Sequence, residues 1–114
     1  MLAKVVEKIK TSSVKNVVPY GMALPSPPYD VVKGEKVTGI GRRFRVIAHR
    51  KAGEVLALEA HVRELIALLN GFTATTARGT HNSIAYNDYS DIAPASDDGT
   101  ISMEASFLMP TRTF

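Results

Sequence analysis

Hydrophobic positions in this chain change their spacing several times, and each change marks an element. Leu2, Val5, Val6 and Ile9 share one face of a helix, with Lys4, Glu7, Lys8 and Lys10 around the other side. The run ends near Thr11-Ser12-Ser13. Asn16 to Leu24 reads as a strand broken by Pro19. Proline donates no ladder hydrogen bond, so this strand is expected at a sheet edge. Pro25, Pro27 and Pro28 force an extended turn, and Tyr29 to Lys33 follows as a second strand. Lys33-Gly34-Glu35-Lys36 opens a polar connection with further glycines at Gly39 and Gly41. Residues 33–41 and 88–99 lack periodicity and are expected to be mobile.

From Arg42 to His49 the alternation is strict. Phe44, Val46 and Ala48 face one way, and Arg43, Arg45, Ile47 and His49 the other. One apolar and one polar face fits an antiparallel sheet covered on one side. Residues 54–69 form the clearest helix. Val55, Leu58, Val62, Leu65, Ile66 and Leu69 fall within an arc of about 100° at 3.6 residues per turn. Glu54 stands where the helix dipole favours an anion, Glu59 and Arg63 are spaced as an i,i+4 pair, and Asn70-Gly71 supplies the stop. Leu56 and Leu68 lie off the stripe, placed to widen the buried face or to meet a partner. A fourth strand is expected near His81 to Tyr86. After a polar loop with an Asp98-Gly99 turn signal, Ile101, Met103, Ala105, Phe107 and Met109 alternate into a last strand ended by Pro110. The order α-β-β-β-α-β-β predicts the α+β class: an antiparallel or mixed β-sheet with two helices packed on one face. At 114 residues, positions 1–114 suit one domain.

Charge changes the picture more than composition does. Residues 1–51 hold eleven Lys and Arg against Glu7, Asp30 and Glu35, a net +8. Residues 79–111 hold Asp88, Asp91, Asp97, Asp98 and Glu104 and no Lys or Arg, a net −5. Such polarity either pairs within one fold or serves charged partners. There is no cysteine, so disulfides and thiolate metal sites are excluded. No stretch approaches the ~20 apolar residues of a membrane span, and Glu7 and Lys8 interrupt any signal-peptide core.

Searches for chemistry return little. The glycines from Gly34 to Gly41 lack the Gly-Lys-Ser/Thr ending of a phosphate loop. His49, His61 and His81 do not share metal-ligand spacing. Counting an EF-hand from Asp88 puts Ile92 at the fifth position and Ala93 at the sixth, where oxygen and glycine are needed. No serine sits in a Gly-x-Ser-x-Gly elbow. Neither catalytic residues nor a cofactor or metal are expected, and the chain is not expected to be an enzyme. Arg42, Arg43, Arg45, His49, Arg50 and Lys51 form a basic cluster that could meet phosphates, so a small nucleic-acid-binding module stays open as a rival.

Three stretches carry a resemblance: Leu24-Pro25-Ser26-Pro27-Pro28-Tyr29-Asp30-Val31-Val32, Phe44 to His49 with Val62 to Leu69, and Ile101 to Pro110. In these and in element order the chain resembles the tail-completion, or tail-terminator, proteins of long-tailed bacteriophages and prophages. The resemblance implies a structural virion protein without catalytic residues. It implies a ring, usually of six subunits, that caps the finished tail tube at its head-proximal end. It implies subunits that are monomeric when free and assemble in the host cytoplasm. Its partners would be copies of itself, the tail tube protein and head–tail connector proteins, with no membrane and with nucleic acid only as DNA passing through the ring. A connector or head-completion protein is the nearest alternative. The expected subunit interface, read from charge, joins Arg42, Arg43 and Arg45 to Asp88, Asp91, Asp97 and Asp98 of a neighbour, because a ring needs two different complementary faces.

Overall fold

A computed structural model describes residues 1–39, 41–75, 81–94 and 96–110. Ile40 of the glycine-bearing connection, residues 76–80 before the expected fourth strand and Ala95 of the acidic loop lie outside the described residues.

Two long strands form the spine. β3 (Gly41–Lys51) pairs antiparallel with β7 (Thr100–Pro110) without a slip, from Gly41 opposite Pro110 to Lys51 opposite Thr100. At ~3.4 Å per residue this ladder runs about 35 Å, most of the molecule's 48 Å length. The alternation predicts its faces correctly. Phe44 pairs with Phe107 and Val46 with Ala105, and all four are fully buried. β2 (Tyr29–Val37) lies antiparallel on the other side of β3, and β1 (Val17–Pro19) runs parallel to β2. β6 (Ala85–Tyr89) joins the far side of β7, with a bulge between Tyr86 and Asp88. The mixed sheet is thus ordered β1-β2-β3-β7-β6, and Pro19 ends its edge strand as expected. A separate two-stranded sheet joins β4 (Thr73–Thr75) to β5 (His81–Ser83).

The expected mobile connection at 33–41 is corrected over its first half. Lys33 to Val37 continue β2 in unbroken register with Arg45 to Gly41. Gly34 is a packing residue here: it stands opposite Phe44, and an added Cβ would meet that ring's Cε1 at 3.3 Å. The expected fourth strand is split. Ile84 breaks it by turning inward, its N–H bonded to Phe72 and its carbonyl to Gly71. The bulged β6 and the bridge from Ala93 to Ser102 add structure to the first part of the acidic loop.

Both helices cover one face. α1 (Leu2–Ile9) buries Val5, Val6 and Ile9 and packs on α2, β1 and β2. α2 (Val55–Leu69) buries Leu58, His61, Val62, Leu65 and Leu69 against β3 and β7. Two stripe residues depart from expectation. Val55 is exposed, because burial begins one turn later at Leu58, and Ile66 is half-buried. Among the described residues Glu59 forms no ion pair with Arg63; Arg50 and Glu54 make the i,i+4 pair, at 3.5 Å. Gly71 takes the left-handed conformation expected of a helix stop, φ +80°.

Candidate functional site: an open charged face and a buried charged face

The sheet separates two ionic clusters. On the face away from the helices, β2, β3 and β7 bring Glu35, Arg43, Arg45 and Glu104 together. Arg43 donates to Glu35 Oε2. Arg45 donates through Nη1 to Glu35 Oε1 at 3.2 Å and through Nε to Glu104 Oε1 at 2.6 Å. Two arginines meet two glutamates, so the cluster is neutral. Hydrogen bonds from Arg43 and Arg45 hold Glu35 below the ordinary carboxylate value, and Glu104 raises Arg45. Arg43 Nε is buried without a partner among the described residues. Arg43, Arg45, Asn87, Asp88, Tyr89 and Glu104 are among the residues lining a depression of 390 Å³. At the opposite end of this face Tyr29 stacks on His49, with ring centroids 4.5 Å apart. Burial there lowers the His49 pKa despite Asp30 and Asp98 nearby.

The expected interface residues divide accordingly. Arg43, Arg45 and Asp88 meet around one depression within a single subunit. Arg42 is exposed at the end of β3 and has no ion pair among the described residues. Asp91 and Asp97 are exposed and form no ion pair with a described residue. Asp98 is a turn residue: it accepts from the Ser96 hydroxyl, from Thr100 N–H at 3.1 Å and from Thr100 Oγ1 at 2.8 Å. Those bonds hold its pKa low.

The second cluster lies beneath the helices and went unread in the sequence. Asp30 on β2 is fully buried, and its two oxygens lie 2.9 and 2.8 Å from His61 Nε2 on α2. His61 Nδ1 lies 3.2 Å from Glu64 Oε1, which also accepts Ser13 Oγ at 2.7 Å and Ser13 N–H at 3.2 Å. Each ring nitrogen faces a carboxylate, an arrangement that favours the doubly protonated imidazolium. Burial alone would lower the His61 pKa, but hydrogen bonds and charge from Asp30 and Glu64 outweigh it and raise the value. Ser13 chiefly holds Glu64 low. The readable signals were an acid at Asp30 on the apolar side of a strand, and His61 with Glu64 spaced i,i+3.

Ser13, Glu64, His61 and Asp30 have the residue types of an acid–base relay, but their geometry is that of a lock. Ser13 bonds Glu64 and not His61. Both imidazole nitrogens are occupied, so none is free to take a proton, and a carboxylate held low is a poor base. Asp30 and Glu64 grip opposite edges of the ring, so they do not converge on one ion. Among the described residues no group of three His, Asp or Glu is placed to hold a metal, and no helix is long and apolar enough to cross a membrane. Compared with known proteins, the sequence matches no family model and no curated relative.

Proposed function

We propose that this chain is a structural subunit that assembles head-to-tail with copies of itself, in the manner of the tail-terminator rings it resembles in sequence. On this reading it closes the head-proximal end of a phage tail tube and meets a connector protein there.

The observation that carries the reading is the opposite charge of the two sheet edges. Lys33 and Lys36 stand on β2 at the β1 side, and Asp88 and Asp91 stand on and just after β6 at the other side. None of the four is in an ion pair with a described residue. Three strand spacings of ~4.8 Å separate β2 from β6, about 14 Å. That exceeds the ~10 Å screening length at 0.1 M salt, so the edges do not neutralise each other. Opposite charge on opposite edges suits a heterologous contact, which fixes register and speeds encounter. The nucleic-acid reading loses ground for a related reason: Arg43 and Arg45, its central cations, are already matched by Glu35 and Glu104.

Charge reversal tests this. Lys33→Glu with Lys36→Glu should abolish assembly on tail tubes and shift light scattering to the monomer. Adding Asp88→Lys and Asp91→Lys to the same chain should restore assembly at least in part. Unchanged assembly in the first variant would defeat the edge contact.

A further inference from the structure

Two apolar patches lie at opposite edges of the sheet, and neither belongs to an ionic cluster. The first follows β1. Tyr20, Met22 and Leu24 are 65, 62 and 58% exposed. Their position is held: Tyr20 N–H bonds Val32 at 2.9 Å, Met22 N–H bonds Pro19 at 3.2 Å, and the Lys33 ammonium sits 4.7 Å from the Tyr20 ring centre. The second patch is a groove of 240 Å³ between α2 and the β6–β7 edge. Val62, Ile66, Met103 and Tyr89 line it, with Glu59 and Arg63. Leu56, 80% exposed, continues the same helix flank one turn before Glu59. Clustered exposed apolar side chains mark contact surfaces more often than scattered ones do.

We infer that the Tyr20–Leu24 segment of one copy seats in the α2/β6 groove of the next, forming the apolar part of the joint between subunits. This rests on reading the chain as a self-assembling subunit, and it names the contact. Three observations choose a second copy as the occupant. The projection and the groove lie at opposite edges, the arrangement head-to-tail assembly needs. Their surroundings carry opposite charges that can meet: Lys33 lies on the projection, and Glu59 lines the groove beside Arg63. Their sizes agree, since a cavity of about 150 Å³ admits a benzene, and this groove has room for one bulky side chain and part of a second.

The chain's lack of cysteine makes disulfide trapping clean. Met22→Cys and Arg63→Cys are made in separate chains, mixed at high concentration and low salt, and oxidised. The expected product is a covalent heterodimer of the two variants, and the double variant should give a ladder of larger species. Surface cysteines at Lys10 and Glu7, which belong to neither patch, serve as the control and should give no more than chance linkage. In parallel, Met22→Glu with Leu24→Glu should leave the circular dichroism spectrum unchanged, because both sites are exposed, and should reduce assembly by light scattering tenfold or more. If wild-type chains assemble but Met22 and Arg63 cysteines do not link above the control, the joint is wrong and the self-assembly reading survives. If wild-type chains assemble under no condition, with or without tail tubes, both fall.

Discussion

The two ionic clusters differ by one sheet thickness and have different physical consequences. Both pair two carboxylates with nitrogen cations through short hydrogen bonds. Glu35, Arg43, Arg45 and Glu104 remain in partial contact with water, each side chain 22–38% exposed. Asp30 and His61 are at 0 and 2%. Water around the open cluster can re-solvate any partner that is lost, and salt screens it. Glu64, 40% exposed, keeps both compensations, but between Asp30 and His61 neither exists, so a partner lost there leaves a charge stranded. The buried cluster is therefore a structural tie joining β2, α2 and the segment before β1. The open one is an adjustable surface.

The largest expected effect breaks the buried tie. His61→Leu strands the Asp30 carboxylate and should cost about 3–5 kcal/mol of unfolding free energy by urea titration. Adding Asp30→Leu, which removes the stranded charge, should recover a large part of the loss. A single-variant cost below about 1 kcal/mol would show that Asp30 is reached by water. Leu65→Ala calibrates the same core without charge. Leu65 is fully buried, and its truncation should cost about 2–5 kcal/mol.

Next in size is the pH response of the tie. The folded state raises the pKa of His61 above the ordinary 6.5. The proton-linked stability is fully present below 6.5 and is lost as pH rises through the raised folded value. Glu64 works oppositely. Its folded pKa lies below the ordinary 4.5, so its contribution is present above 4.5 and is lost as pH falls through the lowered value. Thermal melts should thus be highest between about 4.5 and 6.5 and decline on the alkaline side. A His61→Gln chain should lack the alkaline decline. The same decline in both chains would assign it to another group.

The sequence made one kind of feature legible and hid another. Strict alternation identified the buried face of β3 and β7 down to Phe44, Val46, Ala105 and Phe107, because period two leaves no freedom once one face is covered. Pro19 placed β1 at an edge for an equally local reason. Glycine misled at Gly34, where the missing side chain makes room for Phe44 and does not loosen the backbone. The buried tie was hidden because Asp30 and His61 are 31 residues apart, and their meeting depends on how α2 crosses β2. Charge totals were legible, but their pairing was not. The acids nearest Arg43 and Arg45 turned out to be Glu35 and Glu104, contributed by neighbouring strands through register.

The smallest expected effect is on the open face. Arg45→Met keeps most of the side chain's length and removes two ion pairs. Exposed pairs contribute about 0–1 kcal/mol each, and Arg45 is about one-third exposed, so losing two should cost less than about 2 kcal/mol. It should shrink further when salt is raised, because the screening length falls to ~3 Å at 1 M. The matching measurement on His61→Leu should show little salt dependence. If Arg45→Met costs as much as His61→Leu, the open cluster is covered in solution. Among the described residues nothing covers it, since the helices lie on the opposite face, so a second molecule is the cover to test. A concentration-dependent melt of the wild-type chain would distinguish a second copy from a different partner. A melting temperature that rises with protein concentration and loses that rise in Arg45→Met would make the open face part of a self-contact.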